Sequence, residues 1–469
     1  MASTGLDPII GRTVTPLGGD AKAVSPAADL LARDLTALIH PLHDSRAQRS
    51  ARVWVRGQGA MLVDADGKEF IDGLSCLWNV ALGHGRRELA ETARDQLETL
   101  GYASGYCGNT NVPAIELAER LARLTYPSIN RFFFTSGGAE ANESAIKVAR
   151  SYWKLRGQPA KTKVIARDLG YHGTTLAAMS ATGIAGYWPL FEPRVPGFIH
   201  VPAPYPYRAA AANDATSYGV AVANELEKAI LREGAETVAM FLAEPVIGVG
   251  GVIVPPDDYF PRVREICNKH GVLFAADEVI TGFGRTGRWF ALDHWGVQPD
   301  IVQFAKAITS GYFPFGGIGI NDDIARTLDE APTPWMHAYT YSAHPTGCAV
   351  ALKTLQIIEE ENLVAEAARK GAYLLGALRT KLSSHPHVGE IRGKGFMCAL
   401  EFVRDRETKA PFAPEEQVGA RIHAEAQARG LFSRIRGDVF VLAPPFVTPD
   451  QLLDRIAEIL ASATKAVLG

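Results

Sequence analysis

The sequence predicts an α/β protein with a mostly parallel, doubly wound sheet and a smaller α+β domain beside it. Short apolar runs alternate with helix-length segments through the middle of the chain. Runs that are apolar at nearly every position are typical of strands buried on both faces. Their alternation with helices favours a parallel sheet. The runs are residues 132–135, 163–166, 238–243, 272–276 and 301–304.

The segments at both ends have other patterns. Residues 1–26 are rich in Gly, Pro and Thr, and we expect a loose arm there. Residues 26–40 carry leucines at mixed spacings of three and four, which predicts a helix that ends before Pro41. An Asp66-Gly67 turn between short apolar runs predicts a hairpin within residues 53–72.

The carboxyl-terminal part is helix-rich and returns to short strands at residues 396–402 and 439–442. We expect this part and the amino-terminal segment to share the smaller domain. The predicted division is an arm with part of the small domain in residues 1–80, a large domain in 81–345, and the rest of the small domain in 346–469.

Composition excludes several classes of protein. The chain has 469 residues with 48 Lys+Arg against 51 Asp+Glu, a net charge of −3, which excludes a strongly basic nucleic-acid binder. The five cysteines show no paired spacing, so neither a disulfide framework nor a zinc site is predicted. No secretory signal is visible, and the most apolar stretch is broken by Glu244, Pro245 and several glycines. We expect a soluble, cytoplasmic protein that binds neither membrane nor nucleic acid.

A glycine turn follows the first apolar run. Ser136-Gly137-Gly138-Ala139 lies between residues 132–135 and a predicted helix whose first turn contains Glu140. Backbone N–H groups at a helix amino terminus attract anions, and we expect phosphate as the anion bound here. The same glycines could equally form only a turn.

Two charged residues follow two later strands. Asp277 comes directly after residues 272–276, and Lys306 follows residues 301–304, so both belong at the edge of the sheet where ligands bind. Either one alone is commonly a solvated strand end. Together with the glycine turn they suggest more, because a lysine can form a Schiff base and a carboxylate can keep a pyridine nitrogen protonated.

These residues belong to a series of motifs, on which the sequence resembles the class III aminotransferases. This branch of the fold-type I pyridoxal phosphate enzymes includes ω-amino acid and amine:pyruvate transaminases. The resemblance implies a fold-type I transferase with pyridoxal 5'-phosphate as cofactor and no metal. The motifs are TSGGAEAN (135–142), YHG (171–173), EP (244–245), DEV (277–279), GFGRTG (282–287), KAITSG (306–311) and YTYSAHP (339–345).

The resemblance also implies roles for single residues around the cofactor ring. Lys306 would hold the cofactor covalently and later move the proton between the substrate carbon and the cofactor carbon. Asp277 would hold the pyridinium nitrogen. Tyr171 would stack on the ring, and Val279 would pack on its opposite face. Glu244 would lie near Asp277 on the ring-oxygen side.

The phosphate end of the cofactor involves a second subunit in this resemblance. Gly138 and Ala139 would donate backbone N–H groups to the phosphate. Thr340 would reach the phosphate from the neighbouring subunit of a homodimer or a dimer of dimers. The active site would therefore be shared between subunits.

One further motif suggests a different cofactor. Gly282-x-Gly284-x-x-Gly287 fits the glycine pattern of dinucleotide-binding sites. The following segment opens no clean helix, and Asp300 begins the next strand instead of ending it. A nicotinamide or flavin site is therefore not favoured.

Residues expected near the substrate indicate which amino acceptor the protein uses. Family members that use glutamate typically read E-P-x-Q-x-E-G-G, and Val249 stands where the second glutamate would pair with a movable arginine. A neutral residue in a structural role would look the same. Leu77-Trp78 resembles the amine:pyruvate and β-alanine:pyruvate group, in which the tryptophan lines the substrate pocket. Trp78 could also be a core residue.

A late segment matches the R-x-x-G-D pattern of the same group. There the first arginine, here Arg434, swings in to clamp a substrate carboxylate and swings out for an uncharged amine. Arginine can bind a carboxylate through two parallel hydrogen bonds. Arg436 would point to the same face of a strand, so the choice between the two stays open.

The sequence thus predicts a transaminase that moves an amino group from an amine or a β-alanine-like ω-amino acid to pyruvate, giving alanine and an aldehyde or ketone. Lys306 must be neutral to act as a base, and burial would lower its pKa. The alternatives are a class III aminotransferase that uses 2-oxoglutarate and glutamate, a same-fold aminomutase, racemase or decarboxylase, and a binding protein without catalysis.

Overall fold

The computed structural model describes residues 26–106, 108–209 and 217–469. The chain divides into two compact units. One comprises the described residues up to Arg56 together with Val63–Glu69, and the other comprises Gly57–Leu62 and Phe70–Gly469. The predicted loose arm lies outside the described residues except for Pro26. No helix in the described part of the chain is long and apolar enough to cross a membrane.

The first unit contains α1 (Pro26–Ala37) and α2 (Ser45–Gln48). The predicted first helix is confirmed, although it ends three residues before His40. The predicted turn is also present, because the Asp64 N–H donates to the Lys68 carbonyl and Gly67 has φ +81°. The strands β1 (Trp54–Gln58), β2 (Met61–Asp64) and β3 (Glu69–Asp72) contribute residues to both units.

The second unit contains the remaining strands and α-helices of the described chain. The strands are β4 (Ile129–Thr135), β5 (Lys163–Arg167), β6 (Phe198–Val201), β7 (Val238–Ala243), β8 (Leu273–Asp277), β9 (Ile301–Ala305), β10 (Gly316–Asn321), β11 (Val388–Lys394), β12 (Met397–Phe402), β13 (Leu431–Phe432), β14 (Arg434–Arg436) and β15 (Val439–Leu442). The helices are α3 (Ser75–Trp78), α4 (Arg87–Leu100), α5 (Val112–Leu124), α6 (Gly138–Leu155), α7 (Leu176–Ala181), α8 (Tyr218–Glu233), α9 (Tyr259–His270), α10 (Asp322–Asp329), α11 (Pro345–Glu360), α12 (Leu363–Leu382), α13 (Val418–Ala428) and α14 (Asp450–Leu468).

A seven-stranded sheet forms the centre of this unit, in the order β4-β10-β9-β8-β7-β5-β6. Neighbours from β9 to β6 run parallel, and β10 runs antiparallel to both of its neighbours. Phe241 and Ala243 of β7 belong to one hydrophobic cluster, and Met240 and Leu242 belong to another. Both faces of the sheet are therefore covered, and the predicted mostly parallel sheet with all five of its strands is confirmed.

Two strands of this sheet, β6 and β10, were not predicted. The sequence of β10 is GGIGIN, and glycine is normally depleted from strands. Here the packing requires glycine, because a Cβ on Gly319 would lie 2.4 Å from Cγ2 of Ile129 on the adjacent strand. A Cβ on Gly317 would lie 2.7 Å from the carbonyl oxygen of Phe133.

A four-stranded antiparallel sheet, β11-β12-β15-β14, forms in the carboxyl-terminal part and confirms the strands predicted there. The strand β13 pairs parallel to β3, with Leu431 opposite Ile71 and Phe432 opposite Asp72. Residues from distant ends of the chain thus meet in one sheet. The division at residues 80 and 345 into a large and a small domain stays a prediction.

Candidate active site

A cavity of about 430 Å³ opens beyond the carboxyl ends of the central strands. Asp277 is the last residue of β8, and Lys306 directly follows β9. These strands are adjacent and parallel, with Asp277 opposite Gln303. Both side chains therefore reach the same cavity, as their positions after apolar runs predicted.

Three hydrogen bonds fix the Asp277 carboxylate, which is almost fully buried. Its Oδ2 accepts from Nδ2 of Asn142 at 2.8 Å and lies 2.7 Å from Nδ1 of His172. Its Oδ1 accepts from the Val279 N–H at 3.1 Å. Neither Asn142 nor His172 was predicted as a site residue. Both lie inside motifs quoted above, TSGGAEAN and YHG, but sequence alone does not show that they meet Asp277.

Lys306 lies in the left-handed region of the backbone, with φ +50°. Such a conformation is costly for a residue with a side chain and is often found at functional sites. Burial lowers the pKa of the Lys306 amine, while the charges of Asp277 and Glu244 oppose that shift. Burial therefore increases the fraction of neutral amine, the form that acts as a nucleophile or base.

Glu244 is buried beside the same cavity and holds backbone in place. Its Oε1 accepts from the Tyr171 N–H at 2.9 Å, and its Oε2 accepts from the Gly248 N–H at 2.8 Å. Burial raises the pKa of this carboxyl. The Tyr171 ring lines the cavity and packs on Tyr187, with ring centroids 5.6 Å apart.

The glycine turn opens directly into α6, which begins at Gly138 and has no side-chain cap. The first N–H groups of a helix lack partners within the helix, so those of Gly138 and Ala139 are available where they line the cavity. A Cβ on Gly138 would lie 2.9 Å from Cγ1 of Val279, so this position requires glycine.

Pyridoxal phosphate fits these residues. An anion suits the uncapped start of α6, an aldehyde suits the buried amine of Lys306, and a pyridine nitrogen suits the anchored carboxylate of Asp277. Residues 282–287, the glycine pattern of the competing hypothesis, form successive turns with no helix opening from them. A dinucleotide site of that type is therefore not supported.

A second cavity of about 100 Å³ lies among Trp78, Val249, Arg434 and Arg436. Trp78 is only 1% exposed, and it lines this smaller cavity and not the larger one. Arg436 donates from Nη1 to the Gly250 carbonyl at 3.2 Å. The half-buried Arg434 guanidinium has no hydrogen bond or ion pair among the described residues.

The two cavities are neighbours, because Tyr187 lines the smaller one and packs on Tyr171, which lines the larger one. Burial raises the pKa of Tyr171, and the charge of Arg434 opposes that rise. The Arg434 guanidinium is therefore within electrostatic range of the ring that lines the larger cavity. Val249, which stands where a glutamate would pair with an arginine, lines the same small cavity as Arg434.

The structure thus brings most of the predicted site residues together. Thr340 lines neither cavity; it is exposed, and its carbonyl accepts from the Tyr102 hydroxyl at 2.7 Å. Two residues line only the smaller cavity, Trp78 and Arg434. The predicted residues that line the larger cavity are Leu77, Gly138, Ala139, Tyr171, Glu244, Asp277, Val279 and Lys306.

Comparison with known proteins shows that the chain is similar to aminotransferases. The family described as aminotransferase class-III matches residues 43–464. A putrescine–pyruvate aminotransferase of Pseudomonas aeruginosa is 38% identical, over 87% of this chain and 89% of that protein. A diaminobutyrate–2-oxoglutarate transaminase of Halomonas elongata is also 38% identical, over 94% and 96%. The solved structure of an (S)-enantioselective ω-transaminase from Thermomicrobium roseum is 48% identical, covers 94% of this chain and 99% of that one, and superposes with a TM-score of 0.92.

Proposed function

Because the chain belongs to the class III aminotransferases, which depend on pyridoxal 5'-phosphate, we propose that it moves an amino group from an amine or ω-amino acid to pyruvate. The products are alanine and an aldehyde or ketone. The fold is that of the fold-type I transaminases. The putrescine–pyruvate relative and the ω-transaminase structure support this donor class and this acceptor.

When bound, the cofactor supplies an aldehyde that takes up the amino group and a protonated ring that draws electrons from the substrate carbon. Lys306 is the catalytic residue: its Nζ would attach the cofactor and would then move the substrate proton. Burial lowers the pKa of the Lys306 amine and so favours the neutral form that this transfer needs. Asp277 would hold the ring nitrogen of the cofactor, and Asn142 and His172 keep the Oδ2 atom of Asp277 in place.

The remaining cavity residues would bind the cofactor and orient it. The N–H groups of Gly138 and Ala139 would hold the phosphate at the start of α6. Tyr171 would stack on the cofactor ring, and Val279 would pack against its opposite face. Glu244 anchors the backbone of Tyr171 and thereby sets the position of that ring.

The observation that carries the acceptor assignment is the environment of Arg434. This arginine lines the small cavity with Val249 and has no carboxylate partner among the described residues. A substrate carboxylate can therefore be bound by two parallel hydrogen bonds without first breaking an internal ion pair. Trp78 lines the same small cavity, and Leu77 lines the larger cavity.

We also propose a homodimer in which Thr340 contributes to the phosphate site of the neighbouring subunit. The exposure of Thr340 outside both cavities of its own chain is consistent with this arrangement. Small amines and keto acids are the substrates of this family. The cytoplasmic location expected from the sequence stays a prediction.

The acceptor is tested by converting the purified holoenzyme to its pyridoxamine form. Return of the visible absorbance of the aldehyde form is then followed with pyruvate and with 2-oxoglutarate. A clearly faster return with pyruvate supports the proposal. Faster return with 2-oxoglutarate contradicts the acceptor assignment and leaves the cofactor assignment standing.

A second candidate function is a 2-oxoglutarate-dependent transaminase, which the diaminobutyrate–2-oxoglutarate relative favours. The same experiment separates the two. An aminomutase is the third possibility from the sequence. Consumption of the keto acid acceptor distinguishes it, because a mutase consumes none. Steady-state production of alanine from pyruvate excludes it.

A further inference from the structure

Three side chains with metal-binding atoms meet at the end of β3, outside the residues that line either cavity. They are Asp72, Cys76 and His84, and one donor atom from each lies within 4.8 Å of the others. The Nε2 atom of His84 lies 2.9 Å from Oδ2 of Asp72 and 3.8 Å from Sγ of Cys76. The imidazole therefore stands between a carboxylate and a thiol.

The separations are close to those of a tetrahedral zinc site. Zinc binds sulfur at ~2.3 Å and nitrogen or oxygen at ~2.0–2.2 Å, so at tetrahedral angles two ligand atoms lie about 3.4–3.6 Å apart. The nitrogen–oxygen and nitrogen–sulfur separations differ from these values by about half an ångström or less. Shifts of that size are within the reach of side-chain rotation.

The surrounding backbone holds this arrangement in place. Asp72 is fully buried, and its Oδ1 accepts from the Leu74 N–H at 3.1 Å and the Cys76 N–H at 2.9 Å. Ser75, Cys76 and Trp78 all have positive φ, between 48° and 59°. A segment fixed in this strained conformation keeps the thiol near the imidazole, so only small side-chain shifts are needed to bind a metal.

Solvent reaches two of the three side chains. Cys76 and His84 are both partly exposed, so a cation in solution can approach them. The Nδ1 atom of His84 has no hydrogen-bond partner among the described residues and can therefore carry the ring proton while Nε2 binds a metal.

We propose that Asp72, Cys76 and His84 form a binding site for a divalent cation, and that Zn²⁺ is the cation its mixed sulfur, nitrogen and oxygen ligands select. On binding, the Cys76 thiol releases its proton to solvent, and the thiolate, the imidazole and the carboxylate coordinate the metal. Water takes the fourth position. No electron transfer is involved.

This site goes beyond the proposed transamination. Sequence spacing did not predict it, because the three ligands do not follow a zinc-finger pattern. Leu77 follows Cys76 directly and lines the larger cavity, while Trp78 lines the smaller one. A bound cation would therefore restrain the segment that carries both side chains.

The test measures metal binding and needs no substrate, so it stands apart from the test of function. The holoenzyme is freed of metal with a chelator and titrated with Zn²⁺ against a chromophoric competitor, with metal content counted by mass spectrometry. We expect one Zn²⁺ per chain. Cys76→Ser should weaken binding by more than about 100-fold, which exceeds the usual effect of losing an outer-shell partner.

Two further variants and one spectrum complete the design. His84→Gln should weaken binding to a similar extent, whereas Cys107→Ser should retain one Zn²⁺ per chain. Co²⁺ in the site should show the visible bands of tetrahedral coordination and lose them in Cys76→Ser. Absence of bound Zn²⁺ in the folded holoenzyme, or full binding in Cys76→Ser, would overturn the proposal.

Discussion

Replacement of Arg434 by leucine should separate the two substrates of the reaction. The guanidinium is half-buried in a cavity of about 100 Å³ and has no partner among the described residues, so its removal leaves no buried carboxylate unpaired. A hydrogen-bonded pair with a charged group contributes about 1.5–3 kcal/mol. At about 1.36 kcal/mol per tenfold, kcat/KM for pyruvate should fall by about 10- to 150-fold.

The donor side should respond differently. An amine without a carboxylate has nothing to pair with Arg434, so its half-reaction should change by less than about threefold. Single-turnover absorbance changes measure the two half-reactions separately, first with the amine and then with pyruvate. Leucine keeps most of the side-chain volume, which limits loss of packing.

Arg436→Leu is the matched control. Arg436 lines the same small cavity but donates to the Gly250 carbonyl, so its loss should affect both half-reactions alike. The reasoning is refuted if Arg434→Leu leaves pyruvate turnover unchanged. It is also refuted if Arg436→Leu produces the selective loss of pyruvate turnover.

Three further predictions concern catalysis, packing and acid stability. Lys306→Ala should lower the rate of alanine formation by at least about 10²-fold, because it removes the group that transfers the proton. Gly319→Ala should lower the free energy of unfolding by about 1–3 kcal/mol in denaturant titrations, because its Cβ would lie 2.4 Å from Ile129. Burial lowers the pKa of His294 to about 4, helped by the charge of Lys394, so the folded protein binds this proton less well than the unfolded chain. Stability should therefore fall as pH drops from about 6.5 to 4, and the melting temperature of His294→Gln should fall less over that window.

Each of these predictions has a clear contradicting result. Turnover above about 1% in Lys306→Ala would remove that lysine from the mechanism. The control for packing is Gly186→Ala, where a Cβ meets nothing within 4 Å; equal destabilisation of both glycine variants would contradict the argument. Parallel melting curves of wild type and His294→Gln from pH 6.5 to 4 would show that His294 contributes nothing to acid sensitivity.

The strands that sequence predicted correctly share one property. Strands such as β7 and β8 are buried at every position, so nearly all of their side chains are apolar and they are visible as apolar runs. The strand β10 is also flanked on both sides, but its neighbours lie so close that it needs glycines. That requirement comes from packing between strands, and no local pattern of the sequence contains it.

The same distinction applies to the site. Lys306, Asp277 and the glycine turn could be identified because each follows an apolar run directly, and parallel strands end at the same edge of a sheet. His172 and Asn142 could not be assigned to Asp277, because they lie 105 and 135 residues away along the chain. Trp78 and Leu77 are neighbours in sequence, and only the strained backbone between Ser75 and Trp78 sends them to different cavities.

The sequence by itself determined the class of fold, the family and the residues at the ends of the central strands, because these depend on local hydrophobic patterns and short motifs. Only the tertiary structure decided which side chains meet. It brought Asn142 and His172 to Asp277, placed Val249 in the cavity of Arg434, and joined Asp72, Cys76 and His84. Such meetings depend on the path of the backbone between distant segments, and that path is set by the packing of the whole chain.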